Sequence, residues 1–202
     1  MSHAVLRSRL LILASTSRYR RELLFRLGLP FEARSPDTPE LAIEGEAPAA
    51  MAARLALAKA RSIDTPDAVV IGSDQVASLG GQLLRKPGHQ AAAVRQLEAC
   101  QGKTVTFDTA VAVIDTRTGA TREHVDRTEV RFSKLETAAL ERYVQREQPL
   151  DCAGSFKAEG LGVALFERID SSDPTALIGL PLIWLARALR ELGVDPLGPS
   201  DS

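Results

Sequence analysis

The densest chemistry in the chain lies in LILASTSRYRREL, residues 11–23. An apolar run gives way to three hydroxylated residues and then to Arg18, Arg20 and Arg21 around Tyr19. A strand entering a turn and then a helix is a ready anion site, because free backbone N–H groups and the positive end of the helix dipole converge there. Ser15, Thr16 and Ser17 add hydroxyls, and Arg20 adds a planar fork suited to phosphate oxygens. The same residues also suit a purely structural account, with Ser17 capping the helix and the arginines on its wet face. The glycines and the Gly-Lys-Ser/Thr ending of a P-loop are missing.

Three further places carry polar groups where chemistry could occur. In VVIGSDQV, residues 69–76, Asp74 follows a buried apolar run, where α/β sheets place ligands. Asp74 could hold a divalent cation, act as a base on water, or simply close a turn on its own backbone. In LLRKPG, Pro87 stiffens the support of Lys86, which is otherwise an ordinary surface cation. Glu40 reads as a loop carboxylate and Lys59 as a helix-surface lysine. Residues 152–182 interleave Gly154, Gly160, Gly162 and Gly179 with Lys157, Glu159, Asp173 and Thr175, so close backbone approach and polar groups coincide. His3, His89 and His124 fall outside all four places and read as surface residues.

The elements that must position these groups follow from periodicity. Residues 10–14 and 68–72 are apolar without alternation, as fully buried strands are. Helical spacing starts at Glu22 and ends at Gly28, a residue suited to a left-handed cap. A short strand is expected at 31–34, a turn at 35–39, and an Ala-rich helix at 47–61 with Pro48 near its start. A hairpin turns at Gly80-Gly81, and a helix spans 89–100. Long strands are expected at 104–114 and 123–132, with a helix at 136–145 capped by Ser133, a strand at 161–169 and a last helix at 181–192. Strands and helices interleave throughout, so the class is α/β with a mixed sheet. Residues 1–197 are expected to form one catalytic domain and 198–202 a disordered tail.

Bulk properties narrow the partners. The 202 residues carry a net charge of −1, are 45% hydrophobic and 25% charged, and show no sustained basic block. Coating of a nucleic acid polymer gets no support, and the local arginines point to a small anionic ligand. No apolar run approaches the roughly 20 residues that cross a bilayer, and the run after Arg7 and Arg9 is too short for a signal peptide. Cys100 and Cys152 lie far apart in no metal-ligand spacing, so a cytoplasmic protein with free thiols is expected.

Together the four places resemble the Maf family of nucleoside triphosphate pyrophosphatases. LILASTSRYRREL is similar to the family's opening motif, IGSDQV with RKP to its central one, and CAGSFKAEGLGVALFERID with DPTALIGLPL to its closing segment. The resemblance covers residues 10 to about 197. It implies a twisted mixed sheet flanked by helices, with two lobes around an active-site cleft, as in Maf and ITPase-like proteins. It also implies hydrolysis between the α and β phosphates to a monophosphate and pyrophosphate, with Mg2+ or Mn2+ as cofactor. Asp74 matches the proton acceptor, and Ser15, Arg20, Glu40, Lys59 and Lys86 match the polar substrate-binding set. Asp74 and Glu40 are the expected metal ligands. Tyr19, Gln75 and Glu159 match positions that separate substrate branches. Gly-Ser-Asp-Gln and Gly-Ser-Phe-Lys-x-Glu-Gly resemble the branch acting on 7-methylguanosine triphosphate. A dTTP/UTP preference and a non-catalytic nucleotide-binding regulator of cell division are the alternatives. The expected partner is a nucleotide, with no membrane and a possible homodimer. Arg18 stands where the family usually has proline, and Thr38-Pro39 precedes Glu40 in place of the common acidic pair. A carboxylate titrating near about pH 4 is a weak base toward bulk water, so the proton-acceptor role asks for a metal that acidifies the water.

Overall fold

The computed structural model describes residues 9–198, so the remarks on His3, Arg7 and residues 199–202 lie outside the described part. Strands β1 (Leu10–Ala14), β2 (Glu32–Arg34), β3 (Ala68–Leu79), β4 (Gln82–Leu84), β5 (Thr104–Asp115), β6 (Thr121–Phe132) and β7 (Phe166–Asp170) form one sheet. Its order is β2-β1-β3-β5-β6-β7, with β4 on β3. β1 pairs in parallel with β2 and β3, and all other pairings are antiparallel. Helices α1 (Arg18–Phe25), α2 (Pro48–Arg61), α3 (Gln90–Cys100), α4 (Thr137–Glu147) and α5 (Leu182–Glu191) complete the mixed α/β fold.

β1 is apolar on both faces because both are covered. Leu11 and Leu13 pack with α1 and α5, while Ile12 and Ala14 pack under α2. The near halves of β3 and β5 sit between these two layers. Their far halves, with β6, build a third core from Ala77, Val105, Phe107, Val130 and Phe132 against α3, α4 and the 153–166 segment. The two expected lobes are therefore two ends of the same three long strands, and the cleft lies between them.

Several boundaries differ from the sequence expectation. β3 does not stop at Gly72 but continues to Leu79, so the expected strand and the hairpin's first arm are one strand. The α1 helix begins at Arg18 rather than Glu22, because Ser17 caps it by accepting from the Arg20 N–H at 3.4 Å. Helix α4 starts after Glu136 with no side-chain cap, so Ser133 is not its cap. The expected strand 161–169 holds 3-10 turns at Leu161–Leu165 and becomes a strand only at Phe166. A Cβ at Gly162 would lie 2.3 Å from the Lys157 carbonyl, so this segment is coiled tightly on itself. Residues Asp195–Gly198 close a turn, with Gly198 N–H donating to the Asp195 carbonyl at 3.1 Å. His89 caps α3 through the Ala92 N–H, and His124 stacks on Trp184 with ring centroids 5.2 Å apart. His124 is thus only partly at the surface.

Candidate active site

The cleft arises where β3 changes partners. β1 pairs with it as far as Gly72, and β4 takes over at Ala77, so that edge of β3 is bare from Ser73 to Val76. Alternation sends Asp74 toward α2, and Ser73 and Gln75 toward the loop before α5. A cavity of about 450 Å³ opens here, its walls including Ser17, Tyr19, Arg20, Glu40, Lys59, Asp74, Gln75, Lys86 and Glu159.

Close helix packing brings Lys59 to Asp74. A Cβ on Gly72 would lie 2.2 Å from the Ala56 carbonyl and 2.5 Å from the Ala60 nitrogen, so only glycine lets α2 lie this near β3. Ala52, Ala56 and Ala60 form the flat stripe that rests there. Lys59, one residue from that stripe, is 5% exposed, so it is not the surface lysine that helical spacing suggests. Its Nζ lies 2.5 Å from both Asp74 Oδ1 and Glu40 Oε1. Glu40 rides on the loop after β2 and is more than half exposed. The hydrogen bond and charge of Lys59 hold its carboxyl below the ordinary range, helped by Lys86 and Arg20. Asp74 sits mid-strand rather than in a turn at a strand end, and its position still marks the carboxyl end of the parallel β1–β3 ladder.

Arg20 projects from the first turn of α1, and its Nε donates to the Gly179 carbonyl at 3.0 Å. Ser73 Oγ lies 3.0 Å from the same oxygen and 2.8 Å from the Ala110 carbonyl, so its one hydrogen is shared between the 176–179 loop and β5. Burial pushes the Arg20 guanidinium down from its usual value, and Asp74 and Glu40 oppose that shift. With Nε engaged, the two terminal nitrogens remain to meet an anion. Arg20, Lys59 and Lys86 thus set three cations against the carboxylates of Asp74 and Glu40 on the cavity wall.

Ser15 does not line the cavity. It is buried, and its Oγ accepts from the Ser17 N–H at 3.1 Å, shaping the turn from behind. Tyr19 lines the cavity, but the Arg18 guanidinium lies 4.6 Å from its ring centroid and donates to its hydroxyl at 2.7 Å. Lys157 is tied to the Glu147 carbonyl, and Asp173 accepts from Thr175 and from the Ile183 N–H at the start of α5. Both are braces of the closing segment rather than cavity groups. Sequence reasoning missed Thr109 and Ser73, which hold the wall together. Their signal is a hydroxyl in the buried phase of an otherwise apolar strand, where an unpartnered polar group would be costly.

The residues can accept a divalent cation only in part. Asp74 and Glu40 each give one oxygen to Lys59, and Asp74 Oδ2 is neither buried nor hydrogen-bonded to the described residues. Among those residues no group of three His, Cys, Asp or Glu side chains is placed to hold a metal. One or two carboxylates completed by substrate phosphates and water is the ligand set Mg2+ favours, so the site fits a cation that arrives with a polyphosphate.

A family model described as "Maf-like protein" matches residues 10–192. The chain belongs to the Maf-like family. A curated relative from Albidiferax ferrireducens, named 7-methyl-GTP pyrophosphatase, is 52% identical over 192 residues, covering 94% of this chain and 96% of the relative. A protein of the same name from Xanthomonas oryzae pv. oryzae is 56% identical over 187 residues, covering 91% and 96%. The solved structure of a HAM1 protein from Coxiella burnetii shares the fold at 13% identity, with a TM-score of 0.50 over 90% of this chain and 98% of that one. Among the described residues no helix is long and apolar enough to cross a membrane.

Proposed function

We propose that this Maf-like chain hydrolyses nucleoside triphosphates to a monophosphate and pyrophosphate, with 7-methyl-GTP as preferred substrate. The observation that carries the reading is the Glu40–Lys59–Asp74 bridge at the bare edge of β3, flanked by Arg20 and Lys86. The names of the curated relatives support the substrate. Water attacks the α phosphorus, a new P–O bond forms, and the bond from that phosphorus to the bridging oxygen breaks, releasing pyrophosphate. Asp74 Oδ2 takes the water's proton, while Lys59 holds Oδ1 and fixes the carboxylate. Arg20 and Lys86 meet the charge that gathers on the leaving group. Asp74 and Glu40 would hold Mg2+ or Mn2+ together with phosphate oxygens, and the ion would supply charge neutralisation and a more acidic water.

The base preference rests on Tyr19, Gln75 and Glu159, all on the cavity wall. N7 methylation makes guanine cationic, which suits a carboxylate and an aromatic face. Arg18 already lies over the Tyr19 ring, so Tyr19 has one face to offer and Glu159 carries more of the selection. We take the setting to be the cytoplasm, where Cys100 and Cys152 stay thiols, and the assembly to be a homodimer, which sedimentation would read. The deciding assay incubates the protein with Mg2+ and 7-methyl-GTP, GTP, dTTP or UTP and measures pyrophosphate. Fastest release from 7-methyl-GTP is expected, with turnover abolished in Asp74→Asn while its circular dichroism spectrum stays that of the folded protein. Orthophosphate as the direct product, or equal efficiency on dTTP, would overturn the assignment.

A further inference from the structure

Gln75 reaches into the cavity from the face of β3 opposite to Asp74, and its amide is held in one polarity. Thr109 on β5 is its direct cross-strand partner and is fully buried. Gln75 Nε2 lies 2.9 Å from Thr109 Oγ1, 3.1 Å from the Ala176 carbonyl and 3.0 Å from the Leu177 carbonyl. The two carbonyls can only accept, so the nitrogen must face them; a flipped amide would set oxygen against oxygen. Thr109 Oγ1 also lies 3.0 Å from the Ala176 carbonyl. Its one hydrogen goes to that carbonyl, which leaves its lone pairs to accept from Gln75. Both amide hydrogens are thereby spent on the cavity wall. Gln75 Oε1 has no hydrogen bond to the described residues and is not buried.

We infer that Thr109 is a positioning residue for specificity: the two carbonyls set the polarity of the Gln75 amide, and Thr109, bonded both to that amide and to the Ala176 carbonyl, holds it in place so that the cavity presents a hydrogen-bond acceptor, selecting a base that offers N–H donors. The inference rests on the substrate reading above and deepens it. With Glu159 as a second acceptor on the wall, the pair suits the adjacent N1–H and exocyclic amine of a guanine edge. Pyrimidine and adenine edges lack two adjacent donors of that kind. Thr109 touches no substrate in this account; it acts through Gln75.

Thr109→Val removes the hydroxyl while nearly keeping the volume, and Thr109→Ser keeps the hydroxyl. Thr109→Val is expected to raise KM for 7-methyl-GTP about tenfold, the discrimination that loss of one oriented hydrogen bond gives, with kcat falling far less. Thr109→Ser restores KM. Removing the exocyclic amine, in 7-methyl-inosine triphosphate, should penalise wild type and leave Thr109→Val nearly indifferent. A Thr109→Val enzyme with wild-type KM and wild-type response to the amine overturns the inference while the substrate reading stands. Absence of pyrophosphate from 7-methyl-GTP in wild type overturns the substrate reading instead. A second measurement needs no substrate: in the free wild-type protein the Gln75 side-chain NH2 should exchange with solvent far more slowly than those of surface glutamines. Exchange as fast as at the exposed Gln82 would overturn the inference whatever the kinetics.

Discussion

Lys59→Met tests the centre of the site because it removes the one charge that two carboxylates share. Methionine keeps the apolar stem and all but one atom of the length, so packing against β3 survives and the electrostatic effect dominates. Asp74 is 8% exposed and loses its 2.5 Å partner, which leaves an uncompensated carboxylate beside the core. Removing one member of a buried ion pair costs roughly 3–5 kcal/mol. The lower end applies, since Asp74 borders the cavity and water can reach its free oxygen, and the more exposed Glu40 adds little. About 3 kcal/mol in a domain of this size corresponds to a fall in Tm of roughly 6–12 °C at pH 7. Scanning calorimetry across pH reads the sign as well. Lys59 holds the Glu40 carboxyl below its ordinary value of 4.5, so that part of the stabilisation is present above about pH 4.5 and is lost as pH falls through the lower folded value. The gap between wild type and variant should therefore narrow as the pH is lowered below that window. A variant as stable as wild type at pH 7, or a gap that widens in acid, would refute the bridge as a structural element.

Arg20→Ala and Lys86→Ala should each lower kcat/KM by an amount equivalent to roughly 2–4 kcal/mol, if they meet charge developing on the polyphosphate. Steady-state kinetics with the preferred triphosphate checks this, and wild-type efficiency in both would move the phosphates elsewhere. Glu159→Gln should erode the preference for 7-methyl-GTP over dTTP more than it slows dTTP, read as a ratio of efficiencies. Arg9→Ala removes the guanidinium that pairs with the buried Asp115 and holds its carboxyl far below the usual range. Urea unfolding should show a loss of about 2–3 kcal/mol at pH 7, shrinking below about pH 4 as the unfolded-state carboxylate takes up protons.

Much of the architecture was legible because the local patterns were unambiguous. Leu10–Ala14 could only be a strand covered on both faces, and Pro48 with an alanine stripe could only open a helix. Ser73-Asp74-Gln75 misled, since three polar residues after an apolar run read as a strand's end. They stay in the strand because β5 pairs with each of them on one edge, while on the other β1 has ended and β4 has not begun, and that pairing is a tertiary fact with no local trace. The same holds for Lys59, whose burial depends on Gly72, thirteen residues away and on another element. Ser15 read correctly as part of the turn, but its hydroxyl is consumed by the Ser17 N–H, a bond that spacing alone does not reveal. Family resemblance named the residues around the cavity; only the geometry separates those that face it from those that brace it.

The three long strands that run through both ends of the sheet decide how this enzyme can open. A hinge between lobes needs a few residues that absorb rotation, and here any such hinge would cut across β3, β5 and β6 in ladders that pair without interruption from Val69 to Leu79 and from Thr104 to Ile114. The cleft is in effect a notch in a stiff plank. Admission and release of nucleotide then fall to walls not woven into the sheet, among them the 35–46 loop that carries the more than half exposed Glu40. Cross-linking that loop should throttle turnover, whereas stiffening the lobes further should leave it untouched.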